Sequence, residues 1–311
     1  MKFLAESTIS QLKDGDINAF VELDEHGLII GPGESTTEFI ERAIKLRDNV
    51  DEFTKRIKTN EEIEFYGFTL RYEDAIPKDV FKEANNVTKS LFGFAIDWVP
   101  GYFCDNKMGI LFAGCALYSQ KDAFAVFVIR KAFQKSFKWL IYSRKELLAH
   151  ELTHIARLAF KTPAYEEVMA FKSGGSRFRR VIGGMFRKAS DVYCTLGTIV
   201  LLTIYQIGNI FMRPPEKIWA MPTPIAFMAA LAPAAYLLTR LALTHSKLRR
   251  ANTTLKYAYP NANATSILFR CSENEIKTMA TIKQDDLIAW IDAKRIESIR
   301  WQVIHKRFLE S

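Results

Sequence analysis

Hydrophobic side chains are concentrated in two uncharged stretches in the second half of the chain. Residues 192–212 and residues 218–239 contain no Asp, Glu, Lys or Arg. About 20 apolar residues are enough for a helix to cross the hydrocarbon core of a membrane, and membrane helices tolerate prolines such as those of the second stretch. The pattern therefore predicts a two-helix transmembrane hairpin, in preference to two buried helices of a soluble core.

The first 140 residues combine a polar helical pattern with a later strand-like pattern. Residues 1–60 are predicted to be helical, with Ser35 and Glu38 forming a capping box for a helix that runs to about Ile57. Three later segments are rich in β-branched and aromatic residues and are predicted to contain strands: EIEFYGFTLRY, KMGILFAGCALY and AFAVFVIRKAF.

The region after residue 245 is predicted to be a small soluble region. Its apolar segment SILFRC is strand-like, and residues 285–308 have the periodicity of a helix.

Basic residues flank the two uncharged stretches. The chain has a formal net charge of +8, which suits either nucleic acid or an acidic membrane surface. Basic side chains cluster just before the first stretch and around the end of the second, whereas the RPPEK link holds only Arg213 and Lys217, beside Glu216. Because basic residues favour the cytoplasmic side, we predict that both soluble regions are cytoplasmic. The same placement predicts contacts with anionic lipid headgroups and no nucleic-acid partner.

Two further features bear on the compartment. The N-terminal residues MKFLAESTIS contain no long apolar segment with a cleavage site, so we expect no secretory signal peptide. The four cysteines are scattered and form no C-x-x-C pair, so we expect reduced thiols rather than disulfides or a cysteine zinc site.

Residues 143–157, SRKELLAHELTHIAR, contain the pattern H-E-x-x-H. A predicted capping box of Ser143 with Glu146 starts a helix next to this pattern. On that helix His150, Glu151 and His154 share one face, so the two imidazoles can bind one zinc ion and the carboxylate can reach a water on it. The alternative interpretation is a pair of partly buried histidines on an ordinary amphipathic helix.

The next segment, FKTPAYEEVMAFKSGG, supplies a candidate third ligand. Thr162 and Pro163 predict the start of a second helix, and Gly174 predicts its end. Two helices joined by so short a link must fold back on each other. At 1.5 Å per residue, Glu167 then lies at nearly the level of His154. Its neighbour Glu166 is the rival ligand, although a solvated glutamate near the start of a helix is the favoured interpretation of Glu166.

H-E-x-x-H followed by E-x-x-A on a second helix resembles the gluzincin metallopeptidases. With Ala170 as the small residue, the resemblance implies a zinc ion bound by His150, His154 and Glu167, with Glu151 as general base. It covers only residues 143–174. Several members carry Asp directly after the small residue, where this chain has Phe171.

These observations together predict an α+β protein with four regions. They are an N-terminal helical region (1–60), a zincin-like catalytic domain (61–190), a transmembrane hairpin (191–244) and a small C-terminal cytosolic region (245–311). Residues 123–133 are either an edge strand that pairs with an extended substrate or a core strand, with no preference between the two.

The predicted function is that of a membrane-anchored zinc metalloendopeptidase at the cytosolic membrane face. Its expected partners are a protein or peptide substrate, itself membrane-associated, and lipids with anionic headgroups. The alternative is a membrane-tethered sensor or scaffold that holds zinc without turnover. A weaker third hypothesis, a lipid-interacting structural protein, predicts no zinc.

Overall fold

The computed structural model describes residues 1–105, 108–109, 113–119, 124–160, 163–212 and 222–310. In these ranges the chain is mostly helical, with a few small sheets. Buried apolar residues from Phe3 to Ile304 form one continuous hydrophobic core.

The N-terminal region contains three helices. They are α1 (Glu6–Lys13), α2 (Ile17–Glu25) and α3 (Thr36–Asn60). The predicted capping box is confirmed, since the Ser35 hydroxyl accepts from the Glu38 N–H and the Glu38 carboxylate accepts from the Ser35 N–H. A short antiparallel hairpin and a further helix follow: β1 (Glu62–Phe65), β2 (Phe68–Arg71) and α4 (Lys78–Phe92).

A three-stranded sheet packs beneath these helices. Its strands are β3 (Gly101–Phe103), β4 (Gly114–Ser119) and β5 (Phe124–Ile129), in the order β3–β5–β4. Strand β5 is parallel to β3 and antiparallel to β4, and all six of its residues are buried. Of the two interpretations of residues 123–133, the core strand is therefore correct. Strands β3 and β4 lie at the two edges of this sheet, and within the described residues β4 pairs with β5 alone.

The segment that holds the H-E-x-x-H pattern is built from short elements. They are α5 (Ala132–Lys135), the two-stranded hairpin β6 (Lys138–Trp139) and β7 (Tyr142–Ser143), α6 (Arg144–Ala156), α7 (Pro163–Ala170) and α8 (Arg177–Ile182). The predicted helix start at Arg144 is confirmed, but the capping box is not formed. The Ser143 side chain makes no cap hydrogen bond, and Glu146 instead pairs with Arg179 at 2.9 Å.

The two uncharged stretches fall in long helices, α9 (Ala189–Met212) and α10 (Thr223–Ala258). Both are long and apolar enough to cross a membrane, and only 6% and 17% of their apolar windows are buried. Such exposure argues against the alternative of two core helices, because core helices are mostly buried. The RPPEK link, the start of the second stretch and Thr162 lie outside the described residues.

Helix α10 continues past the predicted end of the hairpin and leads into four C-terminal helices. They are α11 (Ala264–Phe269), α12 (Glu273–Met279), α13 (Leu287–Glu297) and α14 (Ile299–Phe308). The strand prediction for SILFRC is wrong. Its residues are mostly in α11, where the Asn263 side chain accepts from the Ser266 N–H as an N-cap. The helix predicted for residues 285–308 is interrupted at Ser298, which has an extended backbone.

A buried ion pair holds the C-terminal helices against the N-terminal region. The Arg270 guanidinium lies 2.7 Å from the carboxylate of Asp24 on α2, and both side chains are almost fully buried. Arg307 contacts the same carboxylate. These contacts place the two ends of the chain in one packed body around the sheet and α6.

Candidate metal centre

Helix α6 presents the two histidines one turn apart at the edge of the core. Its opposite face is anchored by Leu148 and Leu152, which have no exposed surface. This anchoring directs His150 and His154 toward α7, and their side chains are only 17% and 18% exposed. The Nε2 atoms of the two rings lie 3.1 Å apart.

Helix α7 returns beside α6 and brings Glu167 to the same place. One carboxylate oxygen of Glu167 lies 3.5 Å from Nε2 of His154, and the other lies 3.7 Å from Nε2 of His150. The ligand atoms of the three residues fall within 4.8 Å of one another. The cluster of His150, His154 and Glu167 could therefore hold a metal ion.

The separations agree with the size of a zinc site. Ligand atoms about 2.0–2.1 Å from zinc at tetrahedral angles lie about 3.4 Å from each other. The two ring nitrogens lie 3.1 Å apart, and the distances of 3.5 and 3.7 Å to Glu167 go to its two different carboxylate oxygens, so the cluster is close to this size. Two imidazoles and one carboxylate are also the donor set of many catalytic zinc sites.

Each histidine has an outer partner that fixes its ring. Nδ1 of His154 lies 2.9 Å from the Glu166 carboxylate, which can only accept, so the ring donates. The ring of His150 hydrogen-bonds the backbone of Ala170 and meets the Phe171 ring edge-on, with centroids 4.6 Å apart. Outer contacts of this kind orient metal-ligating histidines.

The placement of Glu166 differs from both sequence interpretations. It is neither a solvated residue nor one of the three clustered ligands, because it lies behind His154 and is 23% exposed. Its negative charge supplies an orienting carboxylate in a site that has Phe171 where several gluzincins have Asp. The pair of adjacent glutamates in the sequence was the only signal of this role.

The electrostatics of the two rings are opposite. Burial, with the charges of His154 and Arg179, lowers the pKa of His150 to about 3. For His154 burial acts in the same direction, but the hydrogen bond to Glu166 and the charges of Glu167 and Glu151 outweigh it and raise the pKa. His150 is therefore neutral, while His154 favours a positive charge.

These directions explain why a cation fits the cluster. Nε2 of His150 faces Nε2 of His154, so Nδ1 is the nitrogen of His150 that donates to Ala170. With both Nδ1 atoms acting as donors, neutral rings present two lone pairs to each other beside the Glu167 carboxylate. A proton on His154 relieves this repulsion, and a metal ion in its place would relieve it too, with release of that proton.

Glu151 lies on the neighbouring face of α6 and contacts the sheet. Its carboxylate accepts a hydrogen bond from the Ala116 N–H of edge strand β4 at 2.9 Å. Burial is the main cause that raises its pKa, and it outweighs the charge of His154 and the bond from Ala116. The sequence could not indicate this contact, because its donor is a backbone group.

No protein-family model, no curated protein and no solved structure matches the chain.

Proposed function

We propose that the chain is a zinc-dependent metallopeptidase, anchored in a membrane by α9 and α10, that hydrolyses peptide bonds at the cytosolic face. The observation that carries this proposal is the convergence of His150, His154 and Glu167 beside buried Glu151 and the edge strand β4. Metal ligands and a base are the parts that zinc-dependent peptide hydrolysis requires, and a strand edge can bind an extended peptide.

In the proposed mechanism, His150, His154 and Glu167 would hold the ion, while Glu166 and the Ala170 backbone keep the rings in position. Zinc would lower the pKa of a bound water toward neutrality and polarise the peptide carbonyl. Glu151 would accept the proton of the attacking water and return it to the departing amine. The raised pKa of Glu151 supports this role, since a carboxylate whose pKa lies above its ordinary value is a stronger base and accepts the proton of the attacking water more readily.

Strand β4 offers the substrate a backbone to pair with. The Ala113 carbonyl accepts from Arg130, the residue that follows β5, whereas the Ala116 N–H points toward α6. Backbone groups alternate along a strand, so Gly114 and Tyr118 present their N–H and C=O groups on the same open side as Ala116. An extended peptide adding to this edge would pass beside Glu151.

The membrane part of the proposal is supported by the two exposed apolar helices and by the charges around them. Basic residues cluster before α9 and from residue 240 onward in α10, so both soluble ends would be cytoplasmic. Substrates at the membrane surface, such as membrane proteins with unfolded cytosolic segments, suit a cleft placed there.

The test is zinc content together with hydrolysis of an unstructured protein such as casein by the purified chain. The peptidase proposal requires about one zinc per chain and hydrolysis that disappears in Glu151→Gln. The sensor or scaffold alternative requires zinc with no turnover. Absence of zinc would reject both and leave the lipid-interacting structural protein.

A further inference from the structure

Six large apolar side chains away from the metal centre are exposed on two neighbouring segments. One segment is the β6–β7 hairpin, and the other runs from α8 to the residues just before α9. We call these exposed residues the hairpin–α8 surface: Phe137, Leu140, Ile141, Phe178, Val181 and Phe186. Exposed apolar patches rimmed by polar residues typically mark interaction sites.

Arg179 brings the two segments together. It is on α8, yet its guanidinium lies 3.4 Å from the Ile141 carbonyl at the hairpin tip and 5.8 Å from the Tyr142 ring centroid. On the other side it pairs with Glu146 in the first turn of α6. The hairpin and α8 are therefore held side by side, directly in front of the helix that carries the histidines.

The turn at the tip of the hairpin places a leucine in a backbone conformation that usually favours Asn or Gly. Leu140 and Ile141 connect strands β6 and β7 as a two-residue turn, and Leu140 has a φ of 49°. Turns of this length favour Asn or Gly, which adopt positive φ with little strain. Leu140 is 63% exposed and Ile141 is 79% exposed, so neither side chain stabilises the fold by burial in the core. Strain of this kind clusters where function requires the side chain.

The segments that form the surface are rich in basic side chains, and the acidic residues that border them, Glu146 and Asp191, are paired with Arg179 and Arg240. Residues 130–145 and residues 171–190 contain no acidic side chain. They contain only basic ones: Arg130, Lys131, Lys135, Lys138, Arg144, Lys145, Lys172, Arg177, Arg179, Arg180, Arg187 and Lys188. Apolar tips inside a basic rim match a bilayer with anionic headgroups, because the rim attracts the headgroups while the tips enter the acyl boundary.

The surface is continuous with the start of the apolar helices. Phe186 lies just before α9, and the Val181 carbonyl accepts from His245 of α10 at 3.0 Å. Arg240 of α10 pairs with Asp191 of α9 at 2.6 Å. These contacts place α8 beside Asp191 and Arg240, the charged residues that border the uncharged parts of α9 and α10.

We infer that the hairpin–α8 surface inserts into the interface of an anionic bilayer, as a second membrane contact beside α9 and α10. The inference rests on the proposed membrane anchoring and does not depend on peptidase activity. It places α6 directly behind the lipid interface, since Arg179 contacts both the hairpin tip and Glu146.

The experiment uses the full chain with an environment-sensitive fluorophore on one introduced cysteine, in vesicles containing phosphatidylserine and lipids with doxyl quenchers. The exposed Cys194 is first replaced by Ser. The test position is Ile141, and the matched control is Ile296, an isoleucine of α13 that is 82% exposed. Ile204, exposed on α9, reports whether the apolar helices are in the bilayer.

If the inference is right, the fluorophore at Ile141 is blue-shifted and quenched by doxyl lipid, as at Ile204, whereas the one at Ile296 is not. Quenching at Ile204 alone would overturn the inference and leave the anchoring intact. No quenching at Ile204 would reject the anchoring and the inference with it. Shielding of Ile141 from aqueous iodide without lipid quenching would show that protein covers the surface, in this preparation a second copy of the chain, and would also overturn the inference.

Discussion

Glu166 provides a sharp test of the metal centre, because it contacts a ligand without being one. Its carboxylate accepts from Nδ1 of His154 at 2.9 Å in a largely buried setting. Loss of such an outer partner typically lowers metal affinity by about 10- to 100-fold, which corresponds to about 1.4–2.7 kcal/mol. Glu166→Ala should therefore weaken zinc binding by that factor. Glu166→Gln keeps an oxygen acceptor and should lose less.

Glu167→Ala should weaken zinc binding further, because it removes one of three ligands. The assay is competition for zinc against a chromophoric chelator, with circular dichroism to confirm the fold. Glu310 is the matched control, since it pairs with His305 at 3.1 Å outside the centre, and Glu310→Ala should leave zinc affinity unchanged. An unchanged affinity in Glu166→Ala would refute the orienting role. If Glu166→Ala lost the metal and Glu167→Ala kept it, the ligand assignment would be wrong.

Three further predictions address the base, the packing of α7 and the topology. Glu151→Gln should keep zinc and fold but lower casein hydrolysis by about 10²–10⁴-fold; retained hydrolysis would exclude this base. A Cβ at Gly184 would lie 3.1 Å from backbone atoms of α7. Gly184→Ala should therefore lower the free energy of unfolding by about 1–3 kcal/mol, measured by chemical denaturation, and weaken zinc binding. Gly197→Ala, at a position with no atom within 4 Å of the added Cβ, should do neither. In intact cells lacking the exposed native cysteine, an impermeant thiol reagent should label a cysteine replacing Glu216 but not one replacing Ser35; the reverse would invert the topology.

The cluster of His150, His154 and Glu167 can be predicted from the sequence because these residues are close together along the chain. His150 and His154 are one helical turn apart, and a short link forces α7 to return beside α6, so helix geometry brings the start of α7 to the level of both rings, while the choice of Glu167 over Glu166 comes from the E-x-x-A resemblance. The sequence does not indicate an orienting role for Glu166, because neighbouring residues of a helix face different directions. Only the packed structure shows that the direction of Glu166 leads to Nδ1 of His154.

The contacts between distant parts of the chain are harder to predict from the sequence than the cluster is. The segment SILFRC predicts a strand but forms part of α11, because a short apolar run does not distinguish a strand from a buried helix. Whether β4 or β5 forms the sheet edge depends on strand order, which no periodicity encodes. The Ala116 contact of Glu151 follows from that order, and so does the open backbone edge proposed for the substrate.

The helix that carries Glu167 is tied to both apolar helices. Helix α10 extends beyond its apolar part and contacts α7, while Gly184, just before α9, lies against the α7 backbone. Arg240 of α10 pairs with Asp191 of α9 and donates to the Met185 carbonyl at 3.0 Å. On the proposed membrane anchoring, these contacts would hold the candidate metal centre at a fixed depth relative to the bilayer. On the proposed function, the distance of a peptide bond from the bilayer therefore becomes part of substrate selection, alongside any preference for side chains.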